Sequence, residues 1–165
     1  MISPGYPAEM ALFTRGLAAA GASVIGVGDQ STQSLPPIAR DALVHYLPVG
    51  SLADGAAVAA TVRELAGQVR IERVECLWEP YMLLAARLRE ELGLPGLTVA
   101  QTVPFLDKER MKQLLDAAGI RTPRHESSGT VSGVWAAAER LGFPLIVKPI
   151  AGAGSADTYR VDSAL

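Results

Sequence analysis

Residues 142–155 read GFPLIVKPIAGAGS, and residues 106–125, one helix earlier, read LDKERMKQLLDAAGIRTPRH. Leu145, Ile146 and Val147 form a short apolar run that predicts a compact buried strand over Phe143–Pro149. Lys148 closes that strand and stands directly before Pro149 and the small-residue loop Ala151–Ser155. Burying an ammonium is costly without an anion or a hydrogen-bonding partner, and a loop of small residues lets backbone N–H groups approach a phosphate. Together they describe a triphosphate cradle. In the commoner G-x-x-x-x-G-K-[ST] loop the lysine follows the glycines and opens a helix; here it precedes them, and no such segment occurs in the chain. Taken alone, Lys148 is equally a strand-end lysine reaching into water above an ordinary hairpin turn. Lys108 supplies a second ammonium, in the first turn of the preceding helical segment. Taken alone, it is a solvated helix-surface lysine. The pairing carries the phosphate reading.

Outward from this pair, Asp107 is placed to cap a helix with Met111, Leu114, Leu115 and Ala118 at helical spacing, ended by Gly119. Pro123 makes the next segment extended, a helix follows over about Val131–Leu141, and Asp157–Val161 reads as the second strand of a hairpin. Upstream, LPGLTVAQTVPF (94–105) has two prolines and no helical period and marks a boundary. Before it, short β-like runs alternate with helical periods: a helix over Glu9–Ala20, strands at Ser23–Gly28, Ala42–Val49 and Val74–Trp78, and helices at about Asp54–Ala66 and Pro80–Leu92. That alternation predicts an α/β parallel sheet wrapped by helices. Only Met1-Ile2-Ser3 precede the first helical turn, where a full opening strand is expected.

The chain has 165 residues, 49% of them hydrophobic, with 15 Lys plus Arg against 17 Asp plus Glu and a formal net charge of −2. This balance, with no basic run, argues against nucleic acid and against an anionic membrane surface, and favours a small-molecule partner. Cys76 is the single cysteine and has no disulfide partner within the chain. With no long apolar stretch and no basic-then-apolar start, a cytoplasmic location is the expectation. His45 and His125 stand apart and suggest no zinc site. GVGDQS (26–31) lacks the third glycine of a dinucleotide fingerprint and follows the second strand, which counts against a nicotinamide-dependent oxidoreductase.

LDKERMKQLLDAAGIRTPRH, followed by AAERLGFPLIVKPIAGAGSADTYRV (137–161), resembles the first half of an ATP-grasp domain. That superfamily holds the biotin carboxylase-like enzymes and the carboxylate–amine ligases. The resemblance implies a Rossmann-like α/β pre-ATP-grasp domain over residues 1–100. It implies an incomplete α+β ATP-grasp domain, the first nucleotide-binding subdomain, over residues 101–165. It also implies ATP as cofactor, with Lys108 and Lys148 on its phosphates and Gly152, Gly154 and Ser155 in the loop that folds over them. The reaction implied is ATP-dependent ligation of a carboxylate to an amine, or to a thiol, through an acyl phosphate. Small-molecule carboxylate and amine substrates would be the partners, and the superfamily allows a homodimer.

Ala151 and Ala153 make the loop stiffer than the glycine-rich family pattern. The resemblance places the adenine contacts and the Mg²⁺ ligands after Leu165. No catalytic residue and no metal ligand is therefore assigned in this chain, and the 165 residues alone are expected not to turn over. A non-catalytic α/β module binding a nucleotide or metabolite is the alternative. Glu79, at the C-terminal end of the strand expected at 74–78, stands where open α/β sheets place ligand contacts. It can hold a substrate amine, or simply complement a helix N-terminus. Ser3 and Gly5, in the turn SPGYPAEM, can similarly approach an anion.

Overall fold

The computed structural model describes residues 1–152 and 154–164. The chain divides into two compact units, Met1–Thr102 and Val103–Leu165.

The first unit opens with α1 (Ala8–Ala19), β1 (Ile25–Gly28), α2 (Pro37–Arg40) and β2 (His45–Pro48). It continues with α3 (Gly55–Ala66) and α4 (Met82–Leu92), and α5 (Val99–Leu106) begins at its end. β1 and β2 pair in parallel with Ile25 opposite His45 and Gly28 opposite Pro48. The opening residues, too few for a full strand, nevertheless take the position beside β1. Ile2 bridges Val27 in parallel. Ser3 N–H donates to Val27 O at 2.8 Å, Val27 N–H to Met1 O at 2.9 Å, and Ile2 N–H to Glu75 O at 2.8 Å. Val74–Trp78, expected as the third strand, is extended backbone tied at Glu75 rather than a laddered strand. A three-residue neighbour offers too little edge for a ladder to propagate.

Helices α3 and α4 form where apolar residues recur at helical spacing, and they bury that face against the sheet. Val58, Ala59 and Val62 of α3 and Leu84, Ala85 and Leu88 of α4 join Ile2, Val27 and Val74 in one core. The Asp54 carboxylate caps α3 by accepting from Ala57 N–H, and Gly93 ends α4 at φ 63°, a left-handed C-terminal position that glycine adopts without strain. The 94–105 segment, read as non-helical, holds all of α5 but its last residue. Thr98 and Gln101 hydrogen-bond reciprocally, Gln101 N–H to Thr98 Oγ1 at 3.2 Å and Thr98 N–H to Gln101 Oε1 at 3.0 Å, a capping box. Pro104 lies inside the helix without preventing it.

The second unit holds α6 (Lys108–Ala117), α7 (Val131–Leu141), β3 (Leu145–Val147) and β4 (Tyr159–Val161). β3 and β4 are antiparallel, with Leu145 opposite Val161 and Val147 opposite Tyr159. Asp107 caps α6 through Arg110 N–H at 2.9 Å, Thr130 caps α7, and Gly119 and Gly142 follow their helices at positive φ. β3 is not the buried strand its composition predicts: Ile146 is 56% exposed, and Val147 is open as well. A two-stranded hairpin carries no second layer over Ile146 or over Val147 among the described residues, so apolar composition alone does not bury it.

Candidate functional site

Lys108 is the first residue of α6, and the backbone delivers it to the loop after β3. Its own N–H donates to Ile150 O at 3.0 Å, and Asp107 bridges Ala151 in antiparallel fashion. The Lys108 ammonium donates to Gly152 O at 2.9 Å and reaches Ile150 O at 3.5 Å. The helix start and the small-residue loop, 44 residues apart in sequence, are thus joined by main chain and side chain together. An ammonium resting on two carbonyls is partly compensated, not neutralised. A phosphate oxygen would be the stronger, charge-assisted acceptor for the same donor.

Lys148 follows β3 directly and is exposed. The expectation of a buried strand-end ammonium fails here because β3 itself is open. Among the described residues its ammonium has no hydrogen-bond or ion-pair partner. Gly152 has φ 152°, Gly154 φ 65° and Ser155 φ 59°. Positive φ is accessible to glycine without strain and uncommon for a serine. Ala153, counted in the same loop, lies outside the described residues. Lys108 and Gly152 are in contact; Lys148, Gly154 and Ser155 lie on the same hairpin, on or beside its connecting loop. Two contributors escaped the sequence reading: the Ile150 and Gly152 carbonyls, which carry no side-chain signal.

Glu79 belongs to the first unit, at the start of a single 3₁₀ turn, Glu79–Tyr81, that leads into α4. It is half-buried. The expectation for Ser3 is overturned by local packing. Ser3 is buried, its hydroxyl donates to Tyr6 O at 2.6 Å and its N–H to Val27 O at 2.8 Å, so neither donor is left for an anion. Over Gly5, a Cβ would lie 2.7 Å from Pro36 Cδ. The glycines of GVGDQS serve packing too: a Cβ on Gly28 would lie 2.7 Å from Tyr46 Oη, whose hydroxyl donates to Gln30 O at 2.8 Å. His125 Nε2 stands 3.7 Å from Asp116 Oδ2. Among the described residues no group of three or more His, Cys, Asp or Glu is placed to hold a metal ion.

Residues 17–96 match the family described as the ATP-grasp N-terminal domain. D-alanine–D-alanine ligase of Pseudomonas putida (strain GB-1) is 40% identical over 79 residues, 47% of this chain and 25% of that protein. The D-alanine–D-alanine ligase of Stutzerimonas stutzeri (strain A1501) is 32% identical over 120 residues, 60% of this chain and 38% of that protein. The chain therefore spans well under half the length of these relatives. In fold it is similar to an L-amino acid ligase from Bacillus licheniformis, with a TM-score of 0.75 at 24% identity, over 92% of this chain and 36% of that one. It is also similar to the biotin carboxylase domain of Hydrogenobacter thermophilus 2-oxoglutarate carboxylase, solved as a dimer with MgADP, ADP and bicarbonate. There the TM-score is 0.71 at 21% identity, over 93% of this chain and 35% of that one.

Proposed function

We propose, for a chain that belongs to the ATP-grasp superfamily, that its second unit binds the phosphates of ATP. The whole protein would then use them to ligate a carboxylate to an amine. The observation that carries this is the Lys108 ammonium on the Gly152 carbonyl, with Lys148 just before the same loop. Lys108 and Lys148 place two positive charges beside one small-residue loop, where Gly154 and Ser155 follow. On that reading ATP phosphorylates the carboxylate, and the amine displaces phosphate from the acyl phosphate. The 152–155 loop shields that intermediate from water. The substrates are small carboxylates and amines.

Mg²⁺ would supply charge neutralisation at the phosphates. Among the described residues no cluster is suited to hold it. Turnover is assigned to the longer protein. The 165 residues, 25% and 38% of the length of the two ligases above, are expected to bind nucleotide weakly without hydrolysing it.

Isothermal titration of the full-length protein with a non-hydrolysable ATP analogue tests the site. A hydrogen bond to a charged group is worth about 1.5–3 kcal/mol, so Lys148→Ala and Lys108→Ala should each weaken binding about tenfold or more. Unchanged affinity in Lys148→Ala would sink the assignment, and ATP hydrolysis by the 165-residue chain would overturn the expectation of inactivity. A second reading, a non-catalytic nucleotide- or metabolite-binding module, draws support from the open apolar surface of the second unit, where Ile146 and Tyr159 are 56% and 60% exposed. Nucleotide binding by the full-length protein with no ligation of any carboxylate and amine pair would favour it.

A further inference from the structure

The first unit has a cleft of about 520 Å³ lined by Arg70, Ile71, Glu72, Arg73, Leu94 and Pro95. One wall is the stretch that enters the extended 74–78 segment, and the other is the turn after α4. A volume in this range suits a small molecule. Ile71 and Leu94 are half-buried and pack against the core, so the apolar part of the lining is fixed in place. Buried Arg89 ties the two walls together. It donates to Val74 O, next to Arg73, and to Leu97 O, in the turn, while Leu94 N–H donates to Arg89 O at 2.8 Å. The spacing of the walls is therefore set by buried bonds before any ligand arrives, which lowers the ordering cost of binding.

Two guanidiniums and one carboxylate line the cleft and leave it one net positive charge. Arg70 Nη2 stands 3.3 Å from Glu72 Oε1 with both side chains well exposed, and such a pair is worth little in water. Arg73 Nη1 donates to the Glu72 carbonyl at 2.7 Å, and among the described residues its other donors have no partner. A guanidinium offers five donors in a planar fork, so Arg73 can hold an anion while keeping that bond. These charges select the ligand. A cation is repelled by two guanidiniums, and a dianion overcharges the cleft and faces Glu72. A monoanion neutralises it, and an apolar body covers Ile71, Leu94 and Pro95. We propose that this cleft binds a small organic monoanion with an apolar body, and that Arg73 is its principal anion contact. The cleft stands at the entry to the 74–78 segment, not at the strand ends where open α/β sheets place their substrates. No lining residue belongs to the second unit, so the inference stands independently of the phosphate site.

NMR of the guanidinium and methyl groups of the 165-residue chain, titrated with naphthalene-2-sulfonate in the absence of nucleotide, tests the site. Saturable shifts should appear at Arg73 Nε–H and at the Ile71 and Leu94 methyls. Inorganic phosphate lacks the apolar body and 2-naphthylmethylammonium lacks the negative charge, so each should bind several-fold more weakly. Arg73→Gln should weaken the sulfonate at least about tenfold, the equivalent of about 1.4 kcal/mol. Glu72→Gln should instead tighten it several-fold, because the competing carboxylate is gone, a gain that a merely structural role for Glu72 does not produce. Both residues are exposed, so both variants should keep the parent Tm. Absence of saturable shifts in the cleft, equal binding of the ammonium, or an unchanged Arg73→Gln titration would each overturn the proposal. Lys148→Ala should leave the sulfonate titration as it is; loss of sulfonate binding in that variant would place the anion at the phosphate site and overturn the cleft assignment. Loss of ATP-analogue binding in Lys148→Ala with the sulfonate shifts intact speaks only to the phosphate site.

Discussion

Arg89 is a buried charge in the first unit, 7% exposed, and its partners are mostly carbonyls. Nη1 donates to Val74 O at 2.7 Å, Nε donates to Leu97 O at 3.0 Å, and Glu75 Oε2 lies 3.8 Å from Nη1. One side chain thus satisfies the extended 74–78 segment, which has no full ladder of its own, and the turn after α4. Gly96 is what makes room for it. At φ 131° it sits where L side chains rarely go, and a Cβ there would lie 2.6 Å from Arg89 Cδ and 2.9 Å from Nε. Gly96→Ala should therefore cost about 2–4 kcal/mol through backbone strain and the displaced guanidinium, read as a lower urea midpoint with unchanged slope. A variant as stable as the parent would remove Arg89 from this role. None of this was legible in RLREELGLPG, since an arginine on a helix reads as solvated. Lys108 and Lys148 were legible as a pair, but the burial expected of Lys148 was not met. A lysine after an apolar run is buried only if something covers the run.

Among the elements, helices declared themselves best. Asp54, Asp107 and Thr130 each accept from the N–H three residues on, a local interaction that needs no tertiary contact. The α5 helix was concealed by its prolines. Pro104 falls inside it, yet Thr98 and Gln101 had already written its start as a capping box. Thr98→Ala removes one half of that box and should cost about 1 kcal/mol, seen as faster amide exchange at the start of α5 with the core amides of α3 unaffected. Equal acceleration in both helices would mean that α5 is not held by its cap. Strands were harder to read. The β3–β4 hairpin was legible from its apolar run and the small-residue loop after it, whereas Val74–Trp78 has the composition of a strand but only one backbone bond to Ile2 among the described residues. Composition specifies that a segment can pair; the available neighbour decides whether it does.

For the molecule as a whole, the Met1 ammonium couples stability to pH. It donates to Ile25 O at 2.8 Å from a buried position beside Cys76 and Glu75, and burial lowers its pKa from 8.0 to about 6. Between these values the unfolded chain carries a proton there that the folded chain does not. Stability therefore rises as pH goes from 6 to 8, and the penalty of the buried charge is fully present below pH 6. Two units correspond to about 2–3 kcal/mol. For the chain beginning at Met1, urea midpoints should climb across this range, and N-terminal acetylation should flatten the climb. An identical pH profile for the acetylated chain would exclude the amine as its source.

The sequence by itself determined the α/β class, the helices that carry their own caps, and the two-lysine pattern around the small-residue loop. The helices rest on interactions between residues a few positions apart, and the lysine pattern on two short segments that are each legible locally. Tertiary structure alone decided that Ile2 takes the place beside β1 and that β3 stays open. It alone brought the Lys108 ammonium to the Gly152 carbonyl, and Tyr6 to Trp78, across 44 and 72 residues of chain (152 − 108 and 78 − 6). Local pattern states what a segment can bury or bond. Which partner arrives to be bonded depends on the path of the whole chain, which local pattern does not encode.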